Sequence, residues 1–245
     1  MNILAIDTFG DVLSLSLSSP FGTQCVSIDS GLRHSELLMD WVDRLFSSAS
    51  LEPNELNLVA CMKGPGSFTG LRIGFAAAKG LSLALGIPII AIPTLDCIAY
   101  ALSIWPGLVV PVQDAKKGCF FAALYRGGER LTDYMDIDPE SLLFKIEAHK
   151  ANTEEKVVIT GPGAPLFLSR TRISPSGTDF FMDPLYSRGR STELLQIAEK
   201  SFIIDNSEGL YSGPLYIRKS DAEINLGILE KRSVHNVSIL LTDSK

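Results

Sequence analysis

The chain has 245 residues, of which 22 are Lys or Arg and 28 are Asp or Glu, so its formal charge is −6. Its hydrophobic fraction of 46% is typical of a globular protein and excludes an intrinsically disordered chain. The acidic balance argues against a protein that holds nucleic acid by bulk charge, although it leaves open an RNA that is reached through a partner.

Cysteine usage and hydropathy indicate the cellular compartment. The chain has four cysteines, Cys25, Cys61, Cys97 and Cys119. They form no C-x-x-C pair, which excludes a zinc ribbon and a thioredoxin motif, and the absence of a signal peptide favours a reducing cytoplasm. The stretch between Lys79 and Lys116 is nearly uncharged, but prolines interrupt it before the ~18 residues that a membrane span needs. We therefore expect a cytoplasmic protein that makes no membrane contact.

The first 105 residues predict alternating strands and helices. Alternation of apolar and polar residues, or a short apolar run, predicts a strand, and an apolar period of 3.6 residues predicts a helix. The predicted strands are residues 3–7, 12–18, 22–28, 56–62 and 87–92. The predicted helices are one that carries residues 37–45, a long one from Ser67 or Thr69 to Gly86, and a short one that begins at Thr94.

The pattern of the first residues restarts after Pro106 and Gly107. The second half predicts strands at 108–112, 118–125 and 157–160 and helices at 139–148 and 192–202. A strand, an acid, a turn and a second strand thus occur twice, around Asp7 and around Asp114. This weak repeat predicts two lobes of similar topology. We expect an N-terminal lobe at 1–105, a C-terminal lobe at 106–227 with a late helix returning to the first lobe, and a tail at 228–245 that is either frayed or helical.

The glycine-rich stretch 64–74 is the most distinctive part of the sequence. Its spacing excludes the Walker A loop, the dinucleotide-binding fingerprint and the nucleophile elbow of lipases. Two interpretations remain open, a tight strand–helix turn followed by a surface Arg72, and an anion site at a helix N-terminus. The anion site would be formed by Gly64, Gly66, Ser67, Thr69 and Gly70.

The helix after this loop carries small residues at every fourth position from Gly70 to Gly86. Small residues at this spacing let another backbone approach closely, either within the lobe or from another subunit. The apolar stripe on the preceding helix is a second surface that could pack within the lobe or against a partner. From these two helices we predict a partner interface made of the exposed members of Leu38, Trp41, Val42 and Leu45, together with Arg72, Gly74, Ala78 and Ser82.

The stretch 64–74 resembles the G-P-G-S-F-T-G-[LV]-R-I-G signature of the TsaB (YeaZ) family. Residues 3–8, 33–38, 114–125 and 214–218 are similar to further elements of that family, so the resemblance spans about residues 1–218. Two departures stand out. Lys116 replaces the usual Arg, and Cys119-Phe120 replace Glu-Val, which leaves open any role tied to those hairpin positions.

The resemblance implies an α/β protein with the actin-like, sugar-kinase-type (ASKHA) fold, in which two lobes, each a mixed β-sheet flanked by helices, surround a cleft. It implies a non-catalytic scaffold subunit that binds TsaD, the paralogue that transfers threonylcarbamoyl to N6 of the adenosine next to the tRNA anticodon. The ATPase TsaE joins the pair, and tRNA is reached only through the complex. The family also forms homodimers on the surface used for TsaD, and whether such a homodimer is physiological stays open.

Catalytic features of the paralogue are missing from this sequence. TsaD holds a metal with an H-x-x-x-H pair, whereas His34, His149 and His235 are never four residues apart. ATP-binding hairpins of this fold read D-x-G-x-T, but Asp7 and Asp114 lack the early glycine, so we interpret them as structural hairpin acids. We expect no cofactor on the chain alone and nucleotide only within the complex. A divergent small-molecule kinase or ATPase of the same fold stays open as the alternative.

Two further interpretations of polar residues are weak. A protease triad that uses Ser67 and His34 has no support from spacing. Two arginine pairs, Arg170 with Arg172 and Arg188 with Arg190, are candidates for contact with the tRNA backbone. In a chain with a net negative charge, we expect them to be solvated surface residues instead.

Overall fold

Two mixed β-sheets with flanking helices make up the described part of this computed structural model, residues 1–31, 33–174, 179–203 and 213–218. The predicted tail at 228–245 lies outside the described residues. Met1–Leu215 forms one compact unit, which contains both sheets, and Tyr216–Lys245 is a separate unit. The boundary predicted near residue 105 falls in the segment between the two sheets.

The first sheet has the strand order β3-β2-β1-β4-β5. Its strands β1, β2 and β3 are antiparallel to one another, whereas β4 and β5 continue the sheet parallel to β1. The strands are β1 (Ile3–Asp7), β2 (Val12–Ser19), β3 (Gly22–Asp29), β4 (Leu58–Gly64) and β5 (Ile89–Pro93). The helices of this half are α1 (His34–Ala49), α2 (Phe68–Leu85) and α3 (Thr94–Tyr100), with a 3-10 turn at Pro53–Glu55.

The second sheet repeats this topology. Its central path is β10-β7-β6-β11-β12, in which β10, β7 and β6 are antiparallel and β11 and β12 are parallel to β6. Its strands are β6 (Leu108–Asp114), β7 (Phe120–Ala122), β8 (Tyr125–Arg126), β9 (Glu129–Arg130), β10 (Met135–Ile137), β11 (Val157–Thr160) and β12 (Phe180–Met182). The helices are α4 (Pro139–His149), α5 (Ala164–Thr171) and α6 (Ser191–Ile203). The duplicated sheet topology confirms the actin-like, sugar-kinase-type fold that the sequence resemblance implies.

Several elements of the second half differ from the prediction. The strand predicted at 118–125 is divided into β7 and β8, which pair with different parts of β6. The short strands β9, β10 and β12 and the helix α5 are not in the prediction. Each of these strands has only two or three residues, which is too short to show a period in sequence.

Both faces of the first sheet are covered at its central strand, because consecutive residues of β1 are all buried. Leu4 and Ile6 pack in a core with α1 and α2, whereas Ile3 and Ala5 pack in a second core on the opposite face. That second core also contains residues of α3, α6, β6, β8 and β11, so it joins the two sheets. Helix α6 therefore follows the second sheet in the chain but packs on β1, β2 and β5.

Within the described residues, each helix is too short or too polar to cross a membrane.

Candidate functional site

The glycine-rich loop holds the N-terminus of α2 against the turn between β1 and β2. The Ser67 amide donates to the Phe9 carbonyl at 2.8 Å, and the Thr8 hydroxyl donates to the Gly70 carbonyl at 2.7 Å. The Ser67 hydroxyl accepts the Gly70 amide at 3.3 Å and caps the helix. The Ser67 and Gly70 amides are therefore both used in hydrogen bonds within the chain. A tight strand–helix turn accounts for the sequence of this loop.

Three glycines of the proposed anion loop lie where a side chain would meet backbone. A Cβ atom at Gly70 would lie 2.0 Å from the Thr8 carbonyl oxygen, and one at Gly66 would lie 3.0 Å from the Phe9 carbonyl oxygen. Gly64 has a positive φ of 107° and faces the Leu215 carbonyl oxygen, 2.8 Å from where its Cβ would be. Thr69 is exposed in the first turn of α2. Close packing thus explains the glycines without a bound anion.

The ridge of small residues predicted as part of the interface faces the interior of this chain. A Cβ atom at Gly74 would lie 2.4 Å from the Thr8 hydroxyl, and Ala78 is fully buried in the core under α2. The hydroxyl of Ser82 is also turned inward and donates to the Ile87 carbonyl at 2.5 Å. The assignment of Gly74, Ala78 and Ser82 to exposed interface positions is therefore wrong. These residues are small because α2 lies close to β1.

The apolar stripe of α1 is likewise committed to the core of the chain. Leu38, Val42 and Leu45 are only 2%, 2% and 6% exposed, because they cover the leucines of β1 and β2. Because none of the three is exposed, they are not part of the predicted interface, which keeps Trp41 as its member from this stripe. Trp41 is half-buried at the edge of this core, with the Arg44 guanidinium 5.0 Å from the centre of its ring.

A second row of small residues runs along the solvent side of α2 and was missed in sequence. We call this surface the α2 outer face; it consists of Arg72, Ala76, Gly80, Leu83 and Ala84, which are all exposed. The side chain of Leu83 is 65% exposed, and no atom lies within 4 Å of where a Cβ of Gly80 would be. The Arg72 guanidinium stacks on the Phe68 ring at 3.7 Å. Gly80 could have revealed this face in the sequence. A glycine inside a helix lowers its stability, and no contact within the chain requires a glycine at this position.

His34 has a structural role at the start of α1. Its Nε2 donates to the Gly10 carbonyl at 2.7 Å, which leaves Nδ1 to accept the Ser30 hydroxyl at 2.9 Å. The side chain is buried and joins the helix to the turn after β1. In the described ranges no three His, Cys, Asp or Glu side chains are grouped so that they would hold a metal ion. His235 lies outside the described residues.

Asp7, the first hairpin acid, is fully buried in the cleft between the two sheets. Its carboxylate accepts the Arg190 amide at 2.7 Å and the Phe9 amide at 3.2 Å. Burial raises the pKa of Asp7 to about 7, against the opposing effects of these hydrogen bonds and of the Arg190 charge. A cavity of about 170 Å³ lies beside it. Its lining includes Asp11, Asp29 and Arg188.

Arg190 is buried, which contradicts the expectation that both arginine pairs are surface residues. Its side chain is 1% exposed and its guanidinium reaches Asp183 at 3.3 Å, Thr160 at 3.4 Å and the Leu185 carbonyl at 3.2 Å. The other three arginines, Arg170, Arg172 and Arg188, are exposed as expected. No local pattern could reveal this burial, because it also depends on Thr160 and on Asp7, which lie 30 and 183 residues away in the chain.

Asp114, the second hairpin acid, is satisfied within its own turn. Its carboxylate accepts the Lys116 amide at 2.8 Å and pairs with the Lys116 ammonium at 2.9 Å. Partial burial acts to raise the pKa of Asp114, but the hydrogen bonds and charge of Lys116 outweigh it, so the pKa is lowered. Lys116, the first departure from the family motif, therefore pairs with Asp114 of the same turn. Phe120, the second departure, is a core residue that packs edge-on against Phe167 at 5.6 Å.

A polar cluster that the sequence did not reveal joins α3 to the second sheet. The hydroxyls of Tyr125 and Tyr134 both donate to the Asp96 carboxylate, at 2.5 Å and 2.8 Å. The Arg130 guanidinium lies 3.9 Å from the same carboxylate and stacks on the Tyr134 ring at 4.1 Å. Asp96 thus connects the first half of the chain to three residues of the second.

Comparison with known proteins gives a consistent result. The family model described as "TsaD: tRNA N6-adenosine threonylcarbamoyltransferase" matches residues 29–169, more than half of the chain. The chain is similar to the tRNA threonylcarbamoyladenosine biosynthesis protein TsaB of Bacillus subtilis, with 34% identity over 58% of this chain and 63% of that protein. It is also similar to the protein of that name from Haemophilus influenzae, with 29% identity over 89% of this chain and 94% of that one.

The similarity to B. subtilis TsaB spans less than two thirds of that relative's length. Among solved structures, YeaZ from Pseudomonas aeruginosa superimposes with a TM-score of 0.74 at 20% identity, over 88% of this chain and 99% of that chain. This structural likeness concerns the fold. The matching family model and the TsaB relatives together show that the chain belongs to the TsaB (YeaZ) family.

Proposed function

We propose that this protein is a non-catalytic subunit of the complex that makes N6-threonylcarbamoyladenosine in tRNA. Its role is to bind and support the catalytic paralogue TsaD, together with the ATPase TsaE. The names of its B. subtilis and H. influenzae relatives support the pathway, and the match to the TsaD family model supports descent from a common fold. The complex works in the cytoplasm, where its tRNA is found, and the protein meets tRNA only through the complex.

The observation that carries the non-catalytic role is the occupation of both hairpin acids by groups of the chain itself. Asp7 accepts two backbone amides, and Asp114 is paired with Lys116. The cavity beside Asp7 has about 170 Å³, below the range of about 300–1,000 Å³ for small-molecule sites. These features support a cleft that takes no nucleotide in the chain alone, so that nucleotide binds only within the complex.

The surface that best fits TsaD is the α2 outer face. Ala76, Gly80 and Ala84 follow one another at intervals of four, and Leu83 beside them is largely exposed. Small side chains let a partner helix approach closely, and exposed apolar surface gains free energy when it is covered. Of the interface predicted from sequence, Arg72 belongs to this face, and the exposed part of Trp41 on α1 also remains in the proposal. When TsaD is absent, the same face joins two copies of this chain.

Size-exclusion chromatography with light scattering tests the proposal. We expect the protein to form a 1:1 complex with TsaD that replaces a homodimer. The variant Gly80→Arg places a long charged side chain on the α2 outer face where no atom of the chain lies within 4 Å, so it leaves the fold intact. We expect it to weaken both associations at least tenfold, since a buried unpaired charge is costly.

Phe144→Arg is the matched control, because Phe144 is 76% exposed on α4 in the other half of the chain. We expect this variant to bind TsaD as the unmodified protein does. Equal binding by Gly80→Arg would show that the α2 outer face is the wrong surface. A protein that remains monomeric and does not bind TsaD would contradict the scaffold role itself.

A further inference from the structure

The segment before α6 lies across the cleft and fits tightly on the first sheet. A Cβ atom at Gly189 would lie 2.3 Å from the Cβ of Ser14, so only glycine fits there. The Ser191 hydroxyl forms hydrogen bonds with Ser14 at 2.6 Å and Ser16 at 2.8 Å, and all three side chains are buried. Residues 189–191 are therefore packed directly on β2.

Arg190, in the middle of this segment, contacts both sheets at once. Its backbone amide donates to the Asp7 carboxylate, at the end of β1 in the first sheet. Its guanidinium contacts Thr160, at the end of β11 in the second sheet, and Asp183, which follows β12. The Thr160 hydroxyl also donates to Asp183 at 2.7 Å, so the guanidinium binds a preformed pair of acceptors.

We propose that Asp7 and Arg190 form an interlobe staple that fixes α6 and the two sheets in one arrangement, and that this staple opens more readily when Asp7 is ionised. In this proposal, the role of Asp7 is to anchor the start of α6 through the Arg190 amide. The proposal concerns the chain alone and depends neither on TsaD nor on nucleotide.

The surroundings of Asp7 explain why its charge matters. The titratable and charged groups around it are Arg190 and Glu193 at the start of α6, Arg188 before them, Cys97 of α3, Asp183 behind Arg190, and Asp11 and Asp29 across the cavity. Burial raises the pKa of the Cys97 thiol, so it stays neutral. At this point β2 presents serine hydroxyls and α2 presents glycines, which do not titrate. Burial is the largest effect on the pKa of Asp7, and the Glu193 charge acts in the same direction, whereas the Arg190 charge opposes it. Arg188 is paired with Glu193.

The direction of the pH effect follows from the two states of Asp7. Its pKa is about 7 in the closed structure, whereas opening would expose it to water, where an Asp has a pKa of about 3.9. The closed state is therefore most stable when Asp7 is protonated. Its advantage falls as pH rises from about 4 to about 7 and is constant above that. With these two pKa values, the opening equilibrium increases about tenfold between pH 6 and pH 8.

Hydrogen exchange measured by mass spectrometry on the full chain tests the staple. Exchange of peptides from α6 and β2 is measured at pH 6 and pH 8 and divided by the intrinsic rates. We expect about tenfold more opening at pH 8 in the unmodified protein. We expect no such increase in Asp7→Asn, which keeps the size of the side chain and one acceptor but cannot ionise. An increase of the same size in Asp7→Asn, or none in the unmodified protein, would overturn the proposal.

A second variant tests the staple without changing any charge. Ser191→Ala removes the two hydrogen bonds to β2 and leaves Asp7 in place, so we expect about tenfold more opening at both pH values with the same pH dependence. Ser201→Ala, near the other end of α6, is the matched control and should exchange like the unmodified protein. If Asp7→Asn does not fold, two results on the other proteins decide. Equal opening of the unmodified protein at pH 6 and pH 8, or equal exchange in Ser191→Ala and Ser201→Ala, would overturn the proposal.

Discussion

Two glycines of α2 provide a direct test of how this helix is placed, because the same substitution should have opposite effects at each. In Gly70→Ala the new Cβ would lie 2.0 Å from the Thr8 carbonyl oxygen, so the start of α2 must move away from β1. That movement costs about 1–3 kcal/mol in packing and weakens the Thr8–Gly70 hydrogen bond, which contributes about 1 kcal/mol. The higher helix propensity of Ala returns about 0.8 kcal/mol. We therefore expect Gly70→Ala to lose about 2 kcal/mol of stability.

Gly80→Ala is the matched control at an exposed position of the same helix. No atom lies within 4 Å of its new Cβ, so only the gain in helix propensity of about 0.8 kcal/mol remains. The two variants should thus differ by about 3 kcal/mol in the free energy of unfolding. For a chain of this size, each kcal/mol changes Tm by roughly 2–4 °C, so the difference is roughly 6–12 °C.

Urea denaturation followed by circular dichroism measures both free energies, and calorimetry measures both Tm values. Stabilisation by both alanines, or destabilisation by both to the same extent, would show that α2 does not contact β1 through Gly70. The positions of the inner ridge and of the α2 outer face would then both be wrong.

Three further predictions follow from other contacts. Ala78→Leu should lower the free energy of unfolding by about 1–3 kcal/mol, because Ala78 is fully buried; urea denaturation checks this, and unchanged stability would place Ala78 on the surface. Tyr125→Phe removes a 2.5 Å hydrogen bond to a carboxylate and should cost about 2 kcal/mol in the same assay, more than Tyr134→Phe, whose ring is less buried. Magnesium-ATP at millimolar concentration should leave the Tm of the chain alone unchanged, whereas a rise of several degrees would favour the kinase or ATPase alternative.

The sequence predicted the elements whose signal lies within a few neighbouring residues. The first hairpin follows from the alternation in residues 12–18, and α1 from its apolar stripe. The turn at 64–70 follows from its glycines, which need no partner to be recognised as a turn. The repeat around Asp7 and Asp114 also predicted two sheets of one topology. Strands of two or three residues could not be predicted, because they contain less than two periods of any pattern.

The surfaces of the helices were predicted less well than the helices themselves. An amphipathic pattern indicates that one side of a helix is buried. It does not indicate whether that side packs on a sheet of the same chain or on a partner protein. Ala78 was therefore assigned to the partner although it is buried in the core that contains residues of β1 and β2. Small residues occur on both sides of α2, and only the position of Thr8 distinguishes the inner row at Gly70 from the outer row at Gly80.

The sequence by itself determined the fold class, the family and the two hairpin acids, because these depend on local patterns and on a short motif. Only the tertiary structure decided what the acids contact. Asp7 meets Arg190 across 183 positions of the chain, whereas Asp114 meets Lys116 within its own turn. Such a long-range contact leaves no periodic signal, since it arises when two sheets and the helix between them pack into one core. The buried staple and the exposed α2 outer face are both consequences of that packing.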